Sequence, residues 1–355
     1  MRSSPLIVFA ACAVVLLAGL EVSRAQHFDV LIQQKNGTVV TGTGDFDHSE
    51  WLLGLRAFNR DFGATYAITN PGFVAIAANS PDLPPGASAL PGSTNLSWDF
   101  LPMTITEGNN SLSQNLFYWD GQDTDGIPGL TPNDVAFGPL PGPNYTLSLY
   151  DKFNAKFSAD GANAVVPGGI IATTQTNGRV HVHLPWYLEN GGGDRADGLY
   201  LLAMRFRVTG LENSLPVFMI FGTSGSSVEA EDDAAYPWVL QQLDLPGDYN
   251  RNGVVDAADY TVWRDTLDQT GAGMAADGSG NELVDADDYD VWKQHFGAAA
   301  ELRIADIAGA GGVGATGVPE PSAKLIASVA SSAASFVRRR SGRARRAPGL
   351  TRPRC

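Results

Sequence analysis

The sequence contains almost no cysteine. Cys12 lies in an apolar segment near the N-terminus, and Cys355 is the last residue. Small exported domains that cannot build a large core are usually held together by several disulfides. The body of this chain has no cysteine pair for that purpose. We therefore expect core packing, metal binding or both to stabilise it.

Positive charge is also scarce. The chain has 24 Lys and Arg against 38 Asp and Glu, for a net charge of −14, although residues 338–355 carry eight arginines and no acid. Nucleic-acid binding requires a cationic face that contacts phosphates. The acidic body therefore predicts no nucleic-acid partner, and it suits divalent cations instead.

An apolar run marks the N-terminus. It extends over residues 5–20, follows Arg2, and precedes Ser23 and Ala25. This layout is typical of a removable secretory signal, and the run is short for a membrane-spanning helix. We expect residues 1–25 to be a signal peptide and the mature chain to begin near Gln26. The protein is then exported to the cell surface or the extracellular space.

Familiar catalytic motifs are missing from residues 27–240. This region has no nucleophile elbow, phosphate loop or His-Glu-x-x-His sequence. Many short β-branched and aromatic runs alternate there with Gly, Pro and Asn turns. The pattern predicts a mainly β fold, with residues 26–244 as a large β-sandwich or jelly-roll-like domain. Residues 49–59 are predicted as one short helix. The predicted strands are 28–33, 39–43, 73–77, 116–119, 145–149, 179–184, 199–208 and 217–221.

Two similar segments follow residues 245–247. DYNRNGVVDAADYTVW begins at Asp248 and DGSGNELVDADDYDVW at Asp277, a period of 29 residues. Each opens with a twelve-residue loop that has oxygen donors at positions 1, 3, 5, 9 and 12 and a backbone carbonyl at position 7. A hard divalent cation with six or seven oxygen ligands requires this spacing. The predicted ligands are Asp248, Asn250, Asn252, Val254, Asp256 and Asp259 in loop one, and Asp277, Ser279, Asn281, Leu283, Asp285 and Asp288 in loop two.

Residues 246–297 resemble a type I dockerin, in which an EF-hand-like loop ending in Asp precedes a single helix and the unit occurs twice. The resemblance implies a small α-helical module with two Ca²⁺ sites, an internal two-fold symmetry, and helices at 260–267 and 289–296. We also expect Val255, at position 8, to pair across to the other loop.

Position 6 differs between the loops, being Gly253 in loop one and Glu282 in loop two. If this position needs a positive φ, a residue with a Cβ costs about 1 kcal/mol or more there. Gly278 and Gly280 offset part of that cost. We therefore predict a tight first calcium site and a weaker second one.

The dockerin resemblance also implies a partner. Dockerins bind cohesin domains through loop positions 10 and 11 and through the helix faces. These positions are Ala257-Ala258 and Ala286-Asp287 here, without the hydroxyl pairs of well-known binders. Two alternatives therefore remain open: the module binds a cohesin-like partner, or calcium only stabilises the module and it has no such partner.

The C-terminal region contains two further segments. Residues 298–317 are rich in Ala and Gly, which predicts a linker. The motif VPEPS at 318–322, an apolar stretch and a basic cluster from Arg338 resemble a PEP-CTERM sorting signal. The resemblance implies transient membrane contact and surface sorting by residues 318–355. Because the apolar stretch is short and contains Lys324, a disordered basic tail is the alternative.

Two polar clusters stand out in the large domain. His181 and His183 alternate on one predicted strand, so both imidazoles face the same side. A third ligand, such as His27 or His48, would make a Zn or Cu site, and a solvated strand face is the alternative. In the Gly-rich loop DGQDTDG, three carboxylates form either a further cation site or an ordinary turn: Asp120, Asp123 and Asp125.

Three functions remain open. The leading hypothesis is a non-catalytic, calcium-binding surface or matrix protein. The second is a secreted carbohydrate-active enzyme or carbohydrate-binding protein that meets extracellular polysaccharide; the enzyme requires two carboxylates about 5–10 Å apart. Its candidate acids are Asp45, Asp47, Glu50, Asp99, Glu107 and Glu189, and its candidate stacking rings are Trp51, Trp98, Trp119, Trp186, Tyr187 and Trp238. The third is a transition-metal-binding surface protein built on the two histidines.

Overall fold

The structure is a computed structural model that describes residues 28–45, 50–123, 129–225, 229–271 and 274–305. The predicted signal peptide and the predicted sorting signal lie outside these residues. The strands, in chain order, are β1 (Phe28–Lys35), β2 (Thr38–Asp45), β3 (Glu50–Leu53), β4 (Ala57–Asp61), β5 (Ala67–Ile68), β6 (Phe73–Ala75), β7 (Asn95–Leu101), β8 (Met103–Glu107), β9 (Asn110–Gln114), β10 (Leu116–Trp119), β11 (Tyr145–Tyr150), β12 (Lys156–Ala159), β13 (Val166–Thr173), β14 (Val180–Val182), β15 (Trp186–Asn190), β16 (Leu199–Val208), β17 (Val217–Gly222) and β18 (Leu302–Ile304). The helices are α1 (Tyr236–Leu243), α2 (Ala257–Thr266) and α3 (Ala286–His295).

These strands form four sheets. Sheet A has the order β14-β6-β1-β2-β3, and sheet B has the order β13-β7-β16-β17-β4, with β10 also paired to β16. Sheet C is β12-β11-β15-β5, and sheet D is β18-β8-β9. Most neighbours are antiparallel, but β1 with β6 and β4 with β17 are parallel. The prediction of a mainly β fold is confirmed, and the stacked sheets are consistent with a β-sandwich.

Strand β16 shows how the core is arranged. Its even-numbered residues Tyr200, Leu202 and Met204 pack into a large apolar cluster with residues of sheets A and C. Its odd-numbered residues Leu199 and Leu201 pack into a second cluster with residues of sheet D and α1. Successive side chains of a strand point to opposite faces. Sheet B is therefore buried on both sides, which explains why the β16 sequence is almost continuously apolar.

The predicted helix at 49–59 is wrong. The segment contains β3, which pairs with β2, and β4, which pairs with β17. Gly54 separates the two strands with a φ of +95°. Trp51 and Leu53 alternate along β3 and pack against a small apolar cluster of sheet A. A period of two therefore outweighs any helical tendency of this segment.

Helix α1 follows a π-helical segment, Glu229–Ala235, and was not predicted. Pro237 lies in its first turn, where a missing N–H costs nothing. Trp238 and Val239 are buried against the second apolar cluster. The helix is too short for a clear helical period, so its sequence resembles the surrounding β segments.

Candidate functional site

Loop one, residues 248–259, folds its backbone amides around two carboxylates. Asp248, at position 1, accepts hydrogen bonds from the amides of Asn252 (3.0 Å) and Gly253 (2.6 Å). Asp259, at position 12, accepts from the amides of Asn250 (2.9 Å) and Asp256 (2.8 Å). The first and last predicted ligands are thus fixed by the loop that separates them.

Loop two, residues 277–288, repeats these bonds at the same positions. Asp277 accepts from the amides of Asn281 (3.0 Å) and Glu282 (3.0 Å). Asp288 accepts from the amides of Ser279 (2.8 Å) and Asp285 (2.7 Å). The sequence repeat therefore corresponds to a repeat of local geometry.

Position 9 of each loop is also a helix N-cap. The Asp256 side chain accepts from the Ala258 amide at 2.7 Å, and α2 begins at residue 257. The Asp285 side chain accepts from the Asp287 amide at 2.8 Å, and α3 begins at residue 286. Each helix therefore starts three residues before its predicted start, because the last loop residues already form its first turn.

The remaining predicted ligands lie along the same loops. Asn252 and Asn281, at position 5, each accept from the amide two residues ahead, at 2.9 and 2.8 Å. Position 3 differs, because Asn250 accepts from Asn252 at 3.0 Å, whereas Ser279 replaces it in loop two. Val254 and Leu283, at position 7, form isolated β-bridges with Ala299 and Thr270.

The position-12 carboxylates are fully buried. Asp259 and Asp288 both have 0% exposure. Burial raises the pKa of Asp259 to about 6, although amides from Asn250 and Asp256 oppose the rise. Burial also raises the pKa of Asp248, against hydrogen bonds from the loop amides. Buried carboxylates are costly without a counter-charge. An all-oxygen donor set of this kind fits a hard cation such as Ca²⁺.

Positions 4 and 6 both have positive φ in each loop. In loop one Arg251 has φ +59° and Gly253 has φ +88°; in loop two Gly280 has φ +75° and Glu282 has φ +63°. Position 6 therefore does adopt a positive φ in both loops, so Glu282 carries the backbone cost expected of a residue with a Cβ. Each loop nevertheless carries one non-glycine residue in the left-handed region, so backbone strain is shared between them.

One tryptophan of each helix forms a hydrogen bond to the loop of the other repeat. Trp263 of α2 donates from Nε1 to the Asp285 carbonyl at 2.7 Å, and Trp292 of α3 donates to the Asp256 carbonyl at 2.8 Å. The ring of Tyr260 lies 5.4 Å from that of Trp292. This reciprocal arrangement gives the repeat pair an internal two-fold relation.

Val255 does not pair with the other loop. Its amide donates to the Ala298 carbonyl, and its carbonyl accepts from Gly297, both at 2.9 Å. The equivalent Val284 donates to the Gln269 carbonyl at 2.9 Å. Each loop is therefore paired with the residues that follow the other repeat's helix, and both valines are fully buried.

Loop one also contacts the β domain. Arg56, 7% exposed, donates from Nε to the Pro216 carbonyl (2.8 Å) and from Nη2 to the Arg251 carbonyl (3.5 Å). Burial lowers the pKa of Arg56 to about 10; the nearby Arg251 charge adds to this, and Asp248 opposes it.

Residues 298–305 begin the segment predicted as a linker, yet they contain β18, which pairs with β8.

The remaining candidates are dispersed over the β domain. Trp98, Trp119 and Trp186 lie in the core, with at most 1% exposure, so they offer no stacking face. Asp99 pairs with Arg205 and Arg207, at 2.9 and 3.0 Å.

Glu189 is bound by neighbouring side chains as well. It contacts Lys156 and accepts from the Ser148 hydroxyl at 3.1 Å. Burial acts to raise the pKa of Glu189, but hydrogen bonds from Lys156 and Ser148 outweigh it, and the pKa falls. Asp120 accepts from the Gln122 amide at 3.2 Å in an exposed segment, whereas Asp47 and Asp125 lie outside the described residues.

The two strand histidines are neighbours of an acid that sequence reasoning missed. His181 and His183 approach each other to 3.3 Å between their Nε2 atoms, and both face Asp29 of β1. The suggested third ligands, His27 and His48, lie outside the described residues. Asp29 could not be found from sequence spacing, because it lies 152 positions before His181.

No protein-family model matches the chain, and no curated protein matches its sequence. Within the described residues, none of the helices has the length and apolar character needed to cross a membrane.

Proposed function

We propose that the chain is an exported, calcium-binding, non-catalytic protein of the cell surface or extracellular matrix. A β-sandwich or jelly-roll-like domain is displayed outside the cell, and residues 246–297 form a dockerin-like module. The observation that carries this proposal is the matched set of hydrogen bonds that backbone amides donate to the carboxylates of positions 1 and 12 in both loops. Such preformed oxygen cradles suit calcium.

Each ion would be held by the side chains of positions 1, 3, 5, 9 and 12 and by the position-7 carbonyl. Bound Ca²⁺ supplies positive charge to the carboxylates, of which Asp259 and Asp288 are fully buried. Because the ion binds the folded loops and not the unfolded chain, it stabilises the module by mass action. In this proposal loop two holds its ion more weakly than loop one.

The module would act as an attachment point for a cohesin-like domain. Leu267 and Phe296 occupy equivalent places after the two helices, and they are 42% and 57% exposed. Ala258 and Asp287, at position 11, are exposed as well. The two-fold relation of the helices thus presents an exposed apolar side chain twice, whereas the groups at position 11 differ. Calorimetry of the purified chain with a purified cohesin domain, in calcium and in EDTA, tests this attachment.

Calcium titration of the intact chain by calorimetry tests the proposal as a whole. We expect two sites in the unmodified chain. Asp259→Ala should abolish the tighter site and Asp288→Ala the weaker one, because each removes a fully buried ligand. The matched control is Asp290→Asn on the exposed surface of α3, which should leave both sites unchanged. Absence of calcium binding in the unmodified chain would overturn the proposal.

A further inference from the structure

The outer face of sheet A holds a cluster of three metal-ligating side chains. Asp29 is on β1, His181 is the middle residue of β14, and His183 is the residue directly after this strand. Strand β6 lies between β1 and β14, and its register places Gly72 beside both Asp29 and His183. The topology therefore joins residues that are far apart in sequence.

The three ligand atoms have the separations of a metal site. Asp29 Oδ2 lies 3.3 Å from His181 Nε2 and 3.7 Å from His183 Nε2, and the two Nε2 atoms are 3.3 Å apart. Ligands of a tetrahedral Zn²⁺ ion with bonds of about 2.0–2.2 Å lie about 3.3–3.6 Å from one another. The observed triangle nearly fits such an ion without rearrangement.

The hydrogen bonds around the cluster leave the ligand atoms directed inward. His183 Nδ1 lies 3.1 Å from the Thr69 carbonyl oxygen. Since a carbonyl only accepts, Nδ1 donates, and the Nε2 lone pair faces the cluster. Asp29 Oδ1 accepts from the Gly72 amide at 2.9 Å. These two hydrogen bonds orient the His183 and Asp29 side chains before any ion binds.

Asp29 Oδ2 is the decisive atom. The Asp29 side chain is 1% exposed, and Oδ2 receives no hydrogen bond from the described residues. A buried carboxylate oxygen without a donor is costly, and here it faces two imidazoles. Gly72 provides the space for this contact, because a Cβ there would lie 2.6 Å from His183 Cε1 and 2.8 Å from Asp29 Oδ1.

We propose that Asp29, His181 and His183 bind one Zn²⁺ ion on the outer face of sheet A. The imidazoles are 37% and 35% exposed, so the fourth position of the tetrahedron opens to solvent. Water or a small solvent-borne ligand completes it. Two nitrogens and one carboxylate oxygen suit a borderline cation and not Ca²⁺, which prefers oxygen ligands. This site is independent of the acidic loops.

The test uses the full chain without a polyhistidine tag, saturated with calcium so that the acidic loops are filled. Calorimetry with Zn²⁺ should show one site per chain. Co²⁺ should give the intense visible absorption of tetrahedral coordination, and Zn²⁺ should displace it.

His181→Ala, His183→Ala and Asp29→Asn should each weaken Zn²⁺ binding by more than the ~10–100-fold that loss of a neighbouring hydrogen bond costs. Gly72→Ala should weaken binding by about 10–100-fold through the crowding of two ligands.

His295→Ala is the matched control, because this histidine lies on α3 and bonds the Val291 carbonyl. It should leave Zn²⁺ binding unchanged. The Co²⁺ spectrum of the unmodified chain needs no variant, so the proposal stays testable if a substitution unfolds sheet A. Lack of a Co²⁺ spectrum and of Zn²⁺ uptake would show that the cluster is only an Asp–His ion pair. Zn²⁺ uptake that survives in the His181→Ala/His183→Ala double variant would equally overturn the proposal.

Discussion

The two acidic loops have nearly the same internal geometry but different surroundings. Loop one is enclosed by Arg56 and by residues 298–303. Loop two pairs with residues 268–271, and its Glu282 is exposed. The hydrogen bonds that hold the predicted ligands are therefore determined within twelve residues, whereas the stability of each loop depends on the segments of the chain that pack against it.

Strand β18 couples loop one to the β domain. The Ala300 amide donates to the Gly253 carbonyl at 2.9 Å, and two residues later Leu302 pairs with Ile105 of β8. An ion that orders loop one should therefore also favour the docking of β18 onto sheet D. Loop two has the same internal hydrogen bonds but pairs with residues 268–271, so it serves as an internal comparison without the β18 contact.

The largest effect should come from Gly253→Ala. An added Cβ would lie 2.8 Å from the Arg303 Cβ, and the backbone φ is +88°. The left-handed backbone and the crowding together should lower the free energy of unfolding by about 2–4 kcal/mol. Urea unfolding in excess calcium measures the change.

Gly280→Ala is the control for Gly253→Ala. Gly280 has φ +75°, but a Cβ there meets no atom within 4 Å. Only the backbone cost of about 1–2 kcal/mol should appear. Equal losses in the two variants would show that crowding of the new Cβ against Arg303 adds no cost.

Arg56→Met should have opposite effects on stability and on calcium affinity. Loss of the guanidinium leaves the half-buried Pro216 carbonyl without this donor, which should cost about 1–3 kcal/mol of folding free energy. The same change removes a positive charge that acts on Asp248, so loop one should bind Ca²⁺ more tightly. Urea unfolding in EDTA and calcium titration measure the two effects.

Arg264→Met is the matched control for Arg56→Met. Arg264 is an exposed arginine paired with Asp265 on α2, and surface pairs of this kind contribute little. A fall in calcium affinity after Arg56→Met would mean that the guanidinium shapes loop one more than its charge opposes the ion.

Local patterns predicted much of this fold. The strands at 116–119 and 199–208 are confirmed residue for residue, because their apolar runs end at turns. The helix at 49–59 was wrong because two short strands with an intervening glycine contain enough apolar residues to imitate one helix. The spacing of the predicted loop ligands is a local pattern, since the twelve positions of a loop are consecutive in the sequence.

Contacts between distant segments could not be predicted in the same way. The position of Asp29 beside His181 depends on β6 lying between β1 and β14, which no spacing encodes. The partner of Val255 is Ala298 and not the other loop, because the chain after α3 returns along loop one. The prediction of a strained position 6 considered Glu282 alone and missed Arg251, two positions earlier in the other loop.

Glu282→Gly and Arg251→Gly compare the loops most finely. Each replaces the one non-glycine residue that its loop holds at positive φ, +63° and +59° respectively. Each should favour the closed loop by about 1 kcal/mol, which is about fivefold in calcium affinity. Calorimetry of Glu282→Gly in an Asp259→Ala background, and of Arg251→Gly in an Asp288→Ala background, isolates one loop at a time.

Equal gains would show that strain penalises both loops alike, so that any remaining difference in affinity comes from Arg56 and β18. A gain in loop two alone would place the difference at position 6, as the sequence suggests. No gain in either loop would mean that the strain of the left-handed residues is already offset by the hydrogen bonds that the Gly253 and Glu282 amides donate to Asp248 and Asp277. The two substitutions thus separate what the twelve-residue cradle determines from what its surroundings add.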